Sequence, residues 1–291
     1  MKTPAGCNAS RRPWAGSRRG KSPWMPTPAS TTPGFEFFRN GGEDGRIQYL
    51  IRRVPIPNKV FVEFGVENYL ESNTRFLAMN DCWSGLVMDA SAENIQLIQR
   101  DPVSWACNLK SVRAFITREN INELLKSNGF SGDLGLLSVD IDGNDYWVWE
   151  AIHCISPRIV VCEYNSLFGP KARVTIPYDP GFSRDKAHYS KIYYGASVAA
   201  LESLGHAKGY TLVGGNSAGN NVFFVRNDVA GALRPAKAAD VFRPARFRES
   251  HDESGRLSYA DLGRQLNNIG HLPVFDLDRQ VLAPVLEVCR D

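Results

Sequence analysis

The residues best equipped for chemistry in this chain are acids, and they fall at the ends of apolar runs. Glu63 closes KVFVEF (59–64) and is followed by Gly65, and Asp89 closes SGLVM (84–88). Asp140 and Asp142 follow LGLLSV (134–139), and Glu163 and Asn165 stand at and beyond the end of RIVVCE (158–163). In an open α/β sheet the ligand binds beyond the carboxyl ends of the strands, so acids at those ends are site candidates. Gly65 lets the backbone come close to a ligand. The phosphate-binding pattern G-x-G-x-x-G is absent, and Glu63 and Glu67 stand where a pyrophosphate would have to sit. A ligand with a cationic centre and an amino group suits this turn better than a dinucleotide. Asp89 lies 26 residues after Glu63, close to the spacing of an acid that accepts both ribose hydroxyls. Its plainer reading is a helix cap.

In Asp140-Ile141-Asp142-Gly143-Asn144-Asp145, alternation of an extended chain puts Asp140 and Asp142 on one side. If the strands before them and before Glu163 are neighbours, Glu163 and Asn165 lie beside that pair. Carboxylates with a carboxamide oxygen make a hard, all-oxygen environment suited to magnesium. Asp142, Glu163 and Asn165 are its expected ligands. The plainer reading makes Asp145 a helix cap and leaves Asp140 to backbone donors or cofactor. His188, in KAHYSKIYYGAS (186–197), sits in a segment with the length and polarity of an active-site lid. It is the candidate general base, though a lone loop histidine is more often exposed or bonded to backbone.

These loops need a scaffold, and the patterning supplies one. The chain has 291 residues, 43% hydrophobic, with 34 Lys+Arg against 31 Asp+Glu, the make-up of a globular protein with one sizeable core. A net charge of +3 does not demand a polyanionic partner, so nucleic acid is not implied. Short apolar runs alternating with helical periods predict a parallel sheet covered by helices. The expected strands are 59–64, 84–88, one within 103–116, 134–140, 158–163, 210–213 and 221–226. Ser91 and Thr117 are expected helix caps, and a long helix is expected over 195–207. The last two strands are separated by GGNSAGN (214–220), too short for a crossover, so they are predicted to pair as an antiparallel hairpin.

The chain resembles class I S-adenosylmethionine-dependent methyltransferases and, within them, the FkbM-type group that often methylates sugar hydroxyls. The resemblance covers about 58–228 and rests on Glu63-Phe64-Gly65, Asp89, LLSVDIDGNDYWVWEAI (136–152) and GYTLVGGNSAGNNVFFVRND (209–228). One departure is Tyr69, which stands at about the place of the family's second glycine. The resemblance implies a Rossmann-like, doubly wound, mostly parallel seven-stranded sheet of order 3-2-1-4-5-7-6 ending in the antiparallel hairpin. It also implies S-adenosylmethionine as cofactor, with the methionine end held by Glu63 and Gly65, assisted by Ser72 and Asn73. Asp89 would hold the ribose and Asp140 would lie on the cofactor. The implied activity is O-methylation of a small-molecule or glycan acceptor, with a bound magnesium ion or His188 dealing with the hydroxyl proton. The rivals are a silent nucleoside-binding or interaction protein on the same fold and, disfavoured by the missing pyrophosphate turn, an NAD-dependent oxidoreductase.

Residues 1–34 carry six basic residues, no acid and six prolines, and read as a disordered leader. Arg11-Arg12 is not followed by the apolar segment of an export signal. The methyltransferase domain is expected over 35–228. Residues 229–291 read as an appendage, with a short helix capped by Ser258 and a further strand within 271–277. Six scattered cysteines with no metal spacing read as reduced, buried thiols, pointing to a reducing, cytoplasmic compartment. No run of about 18 apolar residues is present to span a membrane.

Overall fold

The computed structural model describes residues 43–246 and 249–289; the leader at 1–34 lies outside them. Seven apolar runs become strands of one sheet: β1 (Val60–Phe64), β2 (Ser84–Asp89), β3 (Leu109–Arg113), β4 (Gly132–Val139), β5 (Ile155–Glu163), β7 (Tyr210–Gly215) and β8 (Asn221–Arg226). Their order is β3-β2-β1-β4-β5-β8-β7. The first five are parallel, while β8 runs antiparallel to both β5 and β7. This is the expected seven-stranded order once β6 (Val174–Thr175) is recognised as part of a second, three-stranded sheet. That sheet is completed by β9 (Pro273–Asp276) and β10 (Val281–Pro284), with β6 antiparallel to β9.

Alternation along each strand divides the core into two layers. Val62, Phe64, Leu86 and Met88 face one cluster, with Leu137, Val139, Trp149 and the helix Val198–Ala207. Phe61, Val87, Leu136, Ile159 and Val161 face the other, with Trp83 and the helix Glu43–Ile51. Because both faces are covered, the central strands read as unbroken apolar runs. Ser91 caps the helix Ala92–Arg100 by accepting from the Asn94 backbone N–H at 3.2 Å.

Local chemistry revises several expected caps. Thr117 bonds to Asn120 ahead of the helix Ile121–Ser127. Asp261, not Ser258, caps Leu262–Ile269, since its carboxylate reaches the Arg264 N–H at 2.9 Å. Ser258 instead bonds to Ser250. The residues after 228 pack into the same compact unit as the sheet. Ala238 and Val241 join the first apolar cluster, while Ile269, Val274 and Val285 close a third one over Phe168, Val174 and Ile176. Cysteines 82, 107, 154, 162 and 289 are all free, but only Cys162 is buried and Cys82 is exposed. Among the described residues no helix is long and apolar enough to cross a membrane.

Candidate active site

The site lies where the ends of β1, β2, β4 and β5 converge. Gly65 has φ +66°, and a Cβ there would stand 1.7 Å from the Asp140 carbonyl oxygen. The turn after β1 can therefore lie against the turn after β4 only with glycine in place. Tyr69 also has a left-handed φ of +66°. The turn takes a conformation that favours glycine at a residue whose ring is fully buried and whose hydroxyl meets Thr74 Oγ1 at 2.9 Å.

Glu63 looks inward. Its carboxylate accepts from the backbone N–H groups of Asn73 at 2.9 Å and Thr74 at 3.1 Å, and from the Thr74 hydroxyl. Burial pushes its pKa up to about 7 against the pull of those donors. It holds the 73–74 turn. Ser72 donates to the Val66 carbonyl at 3.3 Å, and Asn73 Nδ2 donates to Ser138 Oγ at 3.0 Å. Both therefore shape the turn.

Asp89 is 8% exposed and does two things. Oδ1 accepts from the Ser91 N–H at 2.7 Å and from Asn94 Nδ2 at 3.1 Å, organising the next helix, and Oδ2 accepts from the Glu67 N–H at 2.9 Å. A carboxylate offers about four acceptor positions. One position is left, enough for a single hydroxyl rather than the expected two.

Asp89 lines a cavity of about 160 Å³ with Gly65 and Glu67 from β1, Met88 from β2, and Ala114, Phe115 and Ile116 beyond β3. Asp142 and Phe182 close it. One end is acidic and the other apolar, and Phe115 there is 51% exposed. The β3 loop was missed from the sequence because that strand was placed only within fourteen residues; an aromatic after a correctly bounded β3 would have drawn attention.

The acids after β4 and β5 come together. Asp140, Asp142 and Glu163 each present a carboxylate oxygen, all within 4.8 Å of one another. Burial, then the charges of Asp142 and Asp145, raise Asp140 well above the usual carboxylate range; burial, then Asp140 and Asp142, do the same to Glu163. Glu163 is 7% exposed, and its Oε2 is buried without a hydrogen-bond partner. Asp142 takes φ +54°. Asp145 is no cap in the ordinary sense: as first residue of the helix Asp145–Ala151, it accepts from the Ile141 and Gly143 N–H groups at 2.8 and 2.9 Å, pinning the acidic loop.

Two expected site residues have partners of their own. Asn165 spends its amide on the Ile192 and Tyr194 carbonyls, both at 3.0 Å, and its oxygen accepts from the Leu167 N–H at 3.0 Å. Asp140 takes its place in the oxygen cluster. His188 bonds through Nδ1 to Ser190 Oγ at 2.6 Å, stacks on Tyr189, faces His271 and lines neither cavity described here. Burial and the nearby His271 lower its pKa.

Arg184 was not foreseen. From the short helix Arg184–Ala187 its guanidinium pairs with Asp142, with Glu249 at 2.8 Å and with the Lys191 carbonyl at 2.6 Å, while lying 4.2 Å from the Tyr194 ring centroid. It offsets part of the cluster's charge. The segment carrying it is fastened to the acidic loop by Asn144 Nδ2 to the Asp179 carbonyl at 2.8 Å and by the Gly195 N–H to the Gly143 carbonyl at 3.1 Å.

No protein-family model matches the chain, and no curated protein does. Among solved structures it is similar to the N-terminal domain of EvdMO1 with SAH bound, at 13% identity over 63% of this chain and 80% of that one, with TM-score 0.39. It is similar to an O-methyltransferase from Bacillus cereus in complex with SAH, at 12% identity over 63% and 80%, with TM-score 0.39. The CurJ carbon methyltransferase matches at 11% identity over 63% and 52%, with TM-score 0.43. Likenesses this distant decide neither activity nor substrate.

Proposed function

We propose that the protein is an S-adenosylmethionine-dependent methyltransferase that methylates a hydroxyl oxygen of a small-molecule or glycan acceptor. The larger cavity carries this reading, with its acidic end at Gly65, Glu67 and Asp142, its apolar end at Phe115 and Ile116, and Asp89 between them. That sequence of surfaces matches a ligand with a cationic amino-acid end, a ribose and a base. Phe115 and Ile116 would cover the base, Asp89 would accept one ribose hydroxyl, and Glu67 and Asp142 would attract the cationic end. Restriction to a sugar-type acceptor follows from the FkbM-type resemblance.

When bound, the cofactor supplies an electrophilic methyl group on a sulfonium. The chain's own residues align the acceptor in line with it and exclude water, which supplies much of the rate. The carboxylates of Asp140 and Glu163 would take up the proton that the acceptor hydroxyl gives up on methylation. The three clustered carboxylate oxygens fit a hard divalent cation. Asp140, Asp142 and Glu163 would hold magnesium, which would acidify the acceptor hydroxyl. Calorimetry with S-adenosylmethionine, S-adenosylhomocysteine and NAD side by side tests the reading. The first two should bind and NAD should not; tighter binding of NAD, or no binding of either sulfur ligand, overturns it.

A further inference from the structure

A second, smaller cavity adjoins the acidic cluster on the side away from Asp89. It is lined by Glu163 and Asn165 from the end of β5, Arg184 and Tyr194 from the lid, and Glu249 and Gln265 from the C-terminal segment, among others. We propose that this cavity receives the acceptor and sorts acceptors by charge, with Glu249 as the specificity-determining residue that bars anionic ones. This rests on the methyltransferase reading above and extends it to the charge class of the acceptor.

Three observations support it. First, Glu163 Oε2 is buried, unpartnered and on the cavity wall. A buried carboxylate oxygen in that state lacks a donor, so the group that belongs there brings an O–H or N–H. Second, the volume is about 50 Å³, space for about four water-sized groups. One edge of a polyol enters, not a whole ring with substituents.

Third, Arg184, the one cation on this wall among the described residues, is already engaged. Arg184 gives one nitrogen to Asp142, one to Glu249 and one to a backbone carbonyl, with its face against Tyr194. Three of its five N–H donors are occupied and its charge already faces two carboxylates, which lessens its pull on a phosphate or carboxylate. The Glu249 carboxylate on the wall and that of Asp142 behind it repel an anion at short range. Glu249 has the more exposed side chain of the two, at 52% against 46%. It acts through Arg184, by engaging one hydrogen of Nη2 and facing the guanidinium charge.

The test is saturation-transfer NMR on the full chain with S-adenosylhomocysteine present, using D-glucose, D-glucosamine and D-glucose 6-phosphate as probes. The neutral and amino sugars should bind, and the phosphate ester should bind at least about ten-fold more weakly. Glu249→Gln removes the negative charge that Arg184 faces and should narrow that gap at least about three-fold by strengthening the phosphate ester. A gain of binding cannot come from misfolding. Preference of the wild-type chain for the phosphate ester overturns the proposal, as does an unchanged gap in Glu249→Gln. Absence of signal from all three probes while S-adenosylhomocysteine still binds also overturns it. Loss of S-adenosylhomocysteine binding in the wild-type chain instead overturns the methyltransferase reading beneath it.

Discussion

Asp89 combines structural and ligand duties in one carboxylate, and the two separate by measurement. Asp89→Ala should weaken S-adenosylmethionine binding by about 1.5–3 kcal/mol, the worth of charge-assisted bonds. Asp89→Asn should preserve more of the fold, because one carboxamide oxygen can still accept from Ser91 or Glu67. Equal cofactor affinity in the alanine variant refutes the assignment. Glu163→Gln should lower turnover far more than cofactor affinity, since Glu163 stands on the acceptor side. If magnesium is held there, chelation should abolish turnover and added magnesium should restore it; full activity in chelator removes the metal from the reaction. Glu63 makes a pH prediction. Its pKa is raised from 4.5 to about 7 by burial, so the folded chain holds that proton more tightly than the unfolded one. The resulting stabilisation is full below pH 4.5 and is lost as pH rises through 7, a change of about 3 kcal/mol. Urea unfolding at pH 5 and pH 8 should show it, and Glu63→Gln should flatten it.

At the scale of elements, the parts of the site that the sequence made legible are those borne by strong apolar runs. β1, β2, β4, β5, β7 and β8 fall within a few residues of where periodicity puts them, so the acids at their ends were found. What escaped was positioned by tertiary contact. Arg184 sits in a four-residue helix with no buried residue of its own, so no hydrophobic period announces it. Asn165 was assigned by residue type, and the carbonyls that claim its amide come from residues 192 and 194, which local sequence cannot bring near. The contact between the turns after β1 and β4 yields a further prediction. Gly65→Ala would put a methyl group into the Asp140 carbonyl and force a left-handed alanine, costing about 2 kcal/mol or more. Thermal unfolding checks it, and a variant as stable as wild type would mean the two turns can part freely.

At the scale of the whole chain, residues after 228 belong with the sheet. Truncation there removes buried Ala238, Val241, Ile269, Val274 and Val285, and a fully buried aliphatic residue is worth about 1.5–3 kcal/mol. The truncated chain should fail to fold stably or should aggregate, whereas removal of residues 1–34 should leave melting and cofactor affinity unchanged. Circular dichroism and sedimentation distinguish the two outcomes; a soluble, cofactor-binding 35–228 fragment would contradict the first.

The pairing of β6 with β9 joins the stretch after β5 to a strand about a hundred residues further along the chain. Synthesis runs from the amino end, so the strands that surround Asp89 leave the ribosome well before β9 exists. A nascent chain can therefore complete its donor-side pocket while its acceptor side still lacks a wall. Two consecutive folding events follow, the sheet closing first and the small three-stranded sheet later, with the long loop between β6 and β9 setting the pace of the second. Residues beyond about 260 are then the ones that finish the enclosure, and a ribosome stalled there would hold a chain with the Asp89 cavity lined but the smaller cavity short of Gln265.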